Sequence, residues 1–217
     1  EPDQAMGFCF FNNSAIGARH LQRVHGVDRI LLVDIDAHHG NGTQRIFWTD
    51  SSVLYFSIHR DGAYPYTGAA DEVGAGAGRG FTVNVPIDRR VGDRDYARIL
   101  ANLLDPIARQ FRPQLLMVSC GFDLHHKDPL GQLALTAEGY RLITDLVLRL
   151  AQDVCGGKTA FVLEGGYSVG GIKDAGGRVI RRLAGLDAVD PDVIDRLREA
   201  GLSGVPGLKR VLDIHRE

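Results

Sequence analysis

Apolar positions along the chain switch between two spacings. Ile30-Leu-Leu-Val33, Val53-Leu-Tyr-Phe56, Leu115-Leu-Met-Val118 and Ala160-Phe-Val-Leu163 are short, unbroken apolar runs. A strand covered on both faces reads this way, because alternate side chains enter opposite layers and both layers exclude water. Between the runs the spacing lengthens to that of a helix. From Asp93 to Phe111, the residues Tyr96, Ile99, Leu100, Leu103, Leu104 and Ile107 fall on one stripe. Thr136 is placed to cap a second helix, with Leu142, Ile143, Leu146, Val147 and Leu150 turned inward. A third follows Asn12-Asn13, passes through Ile16 and Leu21, and stops at Gly26. Strands alternating with helices predict an open α/β domain, a mostly parallel sheet with helices on both faces. The segment from Asp187 to Glu217 is more polar and broken by proline. It is expected to be a helical tail packed on a core of residues 1–186, so that residues 1–217 read as one domain.

Each apolar run leads into residues that a core should not tolerate. Ile30–Val33 opens onto Asp34-Ile-Asp36-Ala-His38-His39-Gly40, and Val53–Phe56 onto Ser57-Ile-His59. Leu115–Val118 leads to Ser-Cys-Gly-Phe-Asp123, and Ala160–Leu163 to Glu164-Gly-Gly-Tyr167. Ligands of open α/β sheets bind in the crevice outside the carboxyl ends of the strands. Four strands delivering Asp, His or Tyr to that edge describe one site.

The bulk composition narrows the class of protein. At 217 residues and 44% hydrophobic, the chain can bury a substantial core. Its net charge is −2 with both signs interspersed, so there is no nucleic-acid footprint and direct binding to DNA or RNA is not expected. Cys9, Cys120 and Cys155 are odd in number and lack CxxC spacing, which predicts a reducing, cytoplasmic setting and no thiolate zinc site. No apolar run approaches the roughly 18–20 residues that cross a bilayer, and no membrane association is expected.

Within the extended stretch after the first strand, Asp34, Asp36 and His38 alternate and could share a face. Two carboxylates and an imidazole that close together ask for a cation. The bland alternative is a capping carboxylate beside a core histidine satisfied by a carbonyl. Asp123, after a different strand, supplies a third ligand and weakens that alternative. Three protein ligands with an open position are the pattern of a catalytic metal site. The donors alone leave zinc, manganese and iron(II) open.

Longer strings add to this. Gly7-Phe-Cys-Phe-Phe-Asn-Asn13, Val33-Asp-Ile-Asp-Ala-His-His-Gly-Asn-Gly-Thr-Gln44, Gly121-Phe-Asp-Leu-His-His-Lys-Asp-Pro-Leu-Gly131 and Leu163-Glu-Gly-Gly-Tyr167 resemble histone deacetylase signatures in order and spacing. Tyr64-Pro-Tyr-Thr-Gly68 and Asn84-Val-Pro86 also fit, and Glu164 leans toward the class II and bacterial branches. The resemblance implies an arginase/deacetylase-like three-layer α/β sandwich. It also implies zinc on Asp36, His38 and Asp123, and Tyr167 as donor to the substrate carbonyl. Gly7, Phe8, Tyr64, Leu130 and Gly165 would form a narrow tunnel for the acyl-lysine stem, and Asp34 and Ser57 would hold a structural potassium ion. The implied reaction is hydrolysis of the acetyl amide of acetyl-lysine, in a peptide or as a similar acetylated amine.

In this family a tandem His-His pair, one member of which is the general base, stands a few residues before the Gly-Phe-Cys motif. Only Glu1 to Met6 precede Gly7 here. The chain is therefore expected to be an N-terminally truncated domain that keeps metal better than it turns over. Rivals are an acetylpolyamine deacetylase, a two-manganese ureohydrolase of the same fold, and a catalytically impaired metal-binding module. Assembly into a homo-oligomer is compatible with the sequence. His20, His25 and His215 read as solvated helix histidines, and His125-His126 as a surface or loop-capping pair.

Overall fold

The computed structural model describes Glu1 and residues 3–214, so His215 lies outside the described residues. Five strands form one parallel sheet in the order β3-β2-β1-β4-β5. They are β1 (Ile30–Asp34), β2 (Val53–Arg60), β3 (Thr82–Ile87), β4 (Leu115–Cys120) and β5 (Thr159–Leu163). The chain builds outward from β1 on one side, then returns to add β4 and β5 on the other. Neighbouring strands thus diverge in connection at β1 and β4, where Ile30 pairs with Leu115 and Asp34 with Ser119. The crevice of an open α/β sheet forms at such a reversal.

The two faces of the sheet are covered unequally. Leu31, Val33, Leu116 and Val118 face the larger core, which takes in α3 (Asp93–Ile99), α4 (Asp105–Phe111), α5 (Ala137–Cys155) and α6 (Val169–Leu183). The tail adds α7 (Pro191–Glu199) and α8 (Lys209–Ile214), which bury Ile194, Leu197 and Val211 in the same core. On the other face Ile30, Leu32, Tyr55 and Met117 meet α1 (Asn13–His25) and α2 (Asn41–Phe47). The helix–sheet–helix layering agrees with the α/β sandwich expected.

Local chemistry accounts for most element ends. Asn12 caps α1 by accepting from the Ala15 amide at 2.8 Å, and Gly26 ends it at φ 63°. Thr136 caps α5 through the Glu138 amide at 3.1 Å. Two details depart from the pattern. α1 lies on the sheet through Ser14, Ala15 and Ala18, leaving Ile16 exposed, because small side chains let the helix approach closely. The helix from Asp93 to Phe111 is interrupted by a π turn at Leu100–Leu104. Pro106 follows at once; it has no N–H and its ring opposes the carbonyl four residues back, and the wider turn accommodates both.

Burial separates structural from dispensable apolar positions. Leu116 is fully buried in β4, whereas Leu163 at the end of β5 is 69% exposed. Leu116→Ala is expected to cost roughly 2–5 kcal/mol, and Leu163→Ala within about 0.5 kcal/mol of zero, in denaturant titrations of the purified protein.

Candidate metal centre and cleft

Asp36 and His38 lie in the loop that leaves β1, and Asp123 in the loop that leaves β4, on either side of the sheet's reversal. Their ligand atoms all lie within 4.8 Å of one another. His38 Nδ1 stands 3.1 Å from Asp36 Oδ1 and 3.0 Å from Asp123 Oδ2, so the imidazole bridges the two carboxylates. Backbone amides hold the same two carboxylates. Ala37 N–H donates to Asp123 Oδ1 at 2.9 Å, His38 N–H to Asp36 Oδ1 at 2.8 Å, and Gly165 N–H to Asp36 Oδ2 at 2.9 Å. This close approach requires glycine. A Cβ on Gly165 would lie 2.6 Å from a carboxylate oxygen of each aspartate, and one on Gly121 would lie 2.5 Å from Asp36 Oδ2.

The electrostatics are those of a site short of positive charge. Hydrogen bonds that His38 donates to Asp123 and then to Asp36 push its pKa up to about 10, against the cost of its burial. Burial, and next the charge of Asp36, raise the Asp123 carboxyl. A proton on His38 thus occupies the position between the two aspartates. The donor set fits a divalent cation, which would replace that proton and leave a coordination position free.

Asp34 is close by but not part of the triad. Its carboxylate is buried, accepts the Tyr55 hydroxyl at 2.7 Å and the Asp36 amide at 3.1 Å, and is held well above the usual carboxylate range by burial first and by Asp36 second. Asp34 therefore has protein partners of its own, although it lines the same cleft as Asp36 and His38. Ser57 lies beside it in register, its hydroxyl 2.9 Å from His59 Nδ1, while His59 Nε2 meets the Gly68 carbonyl at 3.0 Å. Because a carbonyl only accepts, His59 Nε2 carries the hydrogen. Its Nδ1 then accepts from the Ser57 hydroxyl.

Gly7, Phe8, Tyr64, Leu130, Gly165 and Tyr167 line one cleft of about 1670 Å³, together with Asp36 and His38. Phe8 is 85% exposed, and its ring meets Tyr167 edge-on at 5.9 Å. The Gly7 amide points to the Tyr64 hydroxyl at 3.4 Å. Burial, then the charges of Asp36 and Asp123, push the Tyr167 hydroxyl up to about 12, so it keeps its proton at neutral pH. The shape differs from the narrow tunnel expected. Among the described residues only α1 and α2 cover this face of the sheet, and the cleft runs along it, bordered by exposed Phe10, Ile16 and Ile46.

Other histidines are engaged elsewhere. His39 is buried, with Nδ1 2.8 Å from Thr67 Oγ1 and Nε2 3.0 Å from Gln44 Oε1. His20 and His25 are exposed as expected, but His125 is buried, its loop bridged to Leu135. Two acidic residues that the sequence placed in motif strings but gave no role in the site have well-defined partners. Glu164 accepts from Ser14 at 3.1 Å and Ser119 at 3.2 Å. Asp128 is buried and holds three backbone amides. The Asp-Pro-Leu-Gly string, a turn in which an aspartate bonds the amides that follow, was the available signal.

A parallel α/β domain brings two carboxylates and an imidazole together at its switch point, in an arrangement with the donors a metal ion would need, and a tyrosine lines the same cleft. Residues 1–183 match the histone deacetylase domain, and the chain belongs to that family. It is 41% identical over 188 residues to histone deacetylase 14, chloroplastic, of Arabidopsis thaliana, covering 87% of this chain and 44% of that protein. With the histone deacetylase-like amidohydrolase of Pseudomonas aeruginosa it shares 41% identity over 200 residues, covering 91% of this chain and 52% of that one. The crystal structure of the HDA15 HD domain superposes with a TM-score of 0.82 at 40% identity, over 97% of this chain and 56% of that one. The chain thus spans about half the length of these relatives. The fold is the deacetylase-like α/β fold that the sequence motifs implied. No described helix is long and apolar enough to cross a membrane.

A pH dependence follows from His38. Its folded pKa, about 10, exceeds the unfolded value of 6.5, so its stabilising contribution is complete below about pH 6.5 and is lost as pH climbs toward 10. Metal-free protein is expected to show a falling unfolding midpoint across that interval, and His38→Ala to flatten the fall. A metal-free midpoint indifferent to pH between 6.5 and 10 would contradict the bridged arrangement.

Proposed function

We propose that the protein hydrolyses the acetyl amide of an acetylated lysine side chain or a similar acetylated amine, with one zinc ion held by Asp36, His38 and Asp123. The observation that carries this reading is the meeting of that triad with Tyr167 at one cleft, in a chain of the histone deacetylase family. When bound, zinc would polarise the amide carbonyl and acidify a water molecule.

The protein's own groups supply the rest. Tyr167, protonated at neutral pH, donates its hydroxyl to the carbonyl oxygen as negative charge develops there. Gly165 lets the backbone lie against the aspartates and so brings Tyr167 within reach of the triad. Phe8 and Tyr64 flank the methylene stem, Gly7 lets Phe8 stand clear of the backbone, and Leu130 lies at the rim. Apolar walls with a few polar groups at the far end suit a long, thin acylated amine. Asp34 and Ser57, buried side by side in register on neighbouring strands, would hold a potassium ion beside the zinc.

Elemental analysis is expected to find one zinc per chain, and none in Asp123→Ala. Two transition metals per parent chain would instead favour a ureohydrolase. Tyr167→Phe should retain the metal while kcat falls by about 10²–10³. An unchanged kcat would assign the oxyanion to another donor.

A further inference from the structure

The residue that aims Tyr167 is not adjacent to it in sequence. Tyr167 follows Gly165 and Gly166, and Gly166 sits at φ 136°, so this stretch has wide conformational freedom and no side-chain anchor. Tyr167 is 39% exposed and its ring meets Phe8 edge-on, so packing alone holds it loosely. Its placement therefore falls to hydrogen bonds of the backbone. Gly165 is tied on both sides, its amide to Asp36 Oδ2 at 2.9 Å and its carbonyl to the Phe122 amide at 2.8 Å. Beyond it the anchor is the Tyr167 amide, which donates to Asp128 Oδ2 at 2.7 Å.

Asp128 is 5% exposed, and among the described residues it forms no ion pair. Its charge is answered by amides. Oδ1 accepts from Leu130 and Gly131, both at 2.9 Å, and Oδ2 from Tyr167. The same turn is clamped from the far side by Arg60, whose Nη1 donates to the Gly131 carbonyl at 3.1 Å. It also packs on the backbone of Asp123, where a Cβ on Gly131 would collide with the carbonyl. One carboxylate thus joins the rim residue Leu130, the backbone that carries Asp123, and the loop of Tyr167.

We infer that Asp128 is a positioning residue for the reaction, holding the Tyr167 hydroxyl in register with the metal site and the Leu130 rim. This rests on the reading of Tyr167 as oxyanion donor. A buried carboxylate with three amide donors and no cation is costly to keep for fold alone, since an isolated charge must be desolvated. It is suited to fixing geometry, because charge-assisted hydrogen bonds are short and directional. Misplacing a catalytic group by about 1 Å can cost on the order of 10²-fold in rate.

Asp128→Asn isolates the effect. Its amide oxygen can keep the Leu130 and Gly131 bonds, while its NH₂ opposes the Tyr167 N–H. In metal-loaded protein the variant should lower kcat at least about tenfold with KM within about threefold. In a Tyr167→Phe background the further loss should be under about twofold, since the two residues act as one unit. The same cycle read as the Kd of a linear acyl hydroxamate requires no turnover, and the two single variants should again fail to add. The Tyr167 amide should be protected from hydrogen exchange in the parent protein and exchange at least about tenfold faster in Asp128→Asn. That parent measurement stands even if the variant does not fold. Multiplicative losses in both cycles, or a rapidly exchanging Tyr167 amide in the parent, would overturn the inference alone. Unchanged kcat and Kd in Tyr167→Phe would instead bring down the reading beneath it.

Discussion

Two carboxylates, Asp36 and Asp123, meet at one point of the sheet, and nearly every feature around them answers their mutual repulsion. One imidazole stands between them, bonded to both at about 3 Å. Three backbone amides, from Ala37, His38 and Gly165, turn their positive ends inward. Gly121 and Gly165 have no side chain because one would occupy the space of the carboxylates. Even Asp34, one step back in β1, has the Tyr55 hydroxyl as its neutralising partner and is held toward its protonated form. A cation between the aspartates removes the conflict, which gives the amides and glycines a common purpose.

Much of this was legible in the sequence because the elements obey strong local rules. Four of the five strands announced themselves as unbroken apolar runs, and α1 and α5 by their caps. β3 did not. Thr82-Val-Asn-Val-Pro-Ile87 mixes polar residues and a proline into the strand, which only an edge position permits. The π turn before Pro106 was likewise hidden, because an apolar stripe does not report how the backbone makes room for a missing N–H. The site followed from motif strings more than from periodicity. Asp36, His38 and Asp123 lie together, while Asp34, which lines the same cleft, is bonded to Tyr55, a partner that alternation along the strand does not report.

What stayed out of reach shares a cause: tertiary partners decide it. The burial of His125, the engagement of His39 with Thr67 and Gln44, and the serine partners of Glu164 all depend on residues brought near by the fold. Asp128 is the same case. The turn it makes with Leu130 and Gly131 is local, but the amide it holds on Tyr167 comes from another strand's loop, 39 residues on.

The strand order also bears on how the molecule comes into being. β1 can pair with β2, and β2 with β3, as soon as they exist, yet β4 joins β1 on the opposite side only after a long excursion, and His38 and Asp123 are 85 residues apart. A chain emerging from the ribosome presents Asp36 and His38 early, as an incomplete and weak chelator. The loop must close at an entropic cost before the third ligand arrives, and parallel pairing of this kind is slow. Capture of a metal by this triad would therefore be a late event in folding, because its three ligands meet only when the two halves of the sheet have joined.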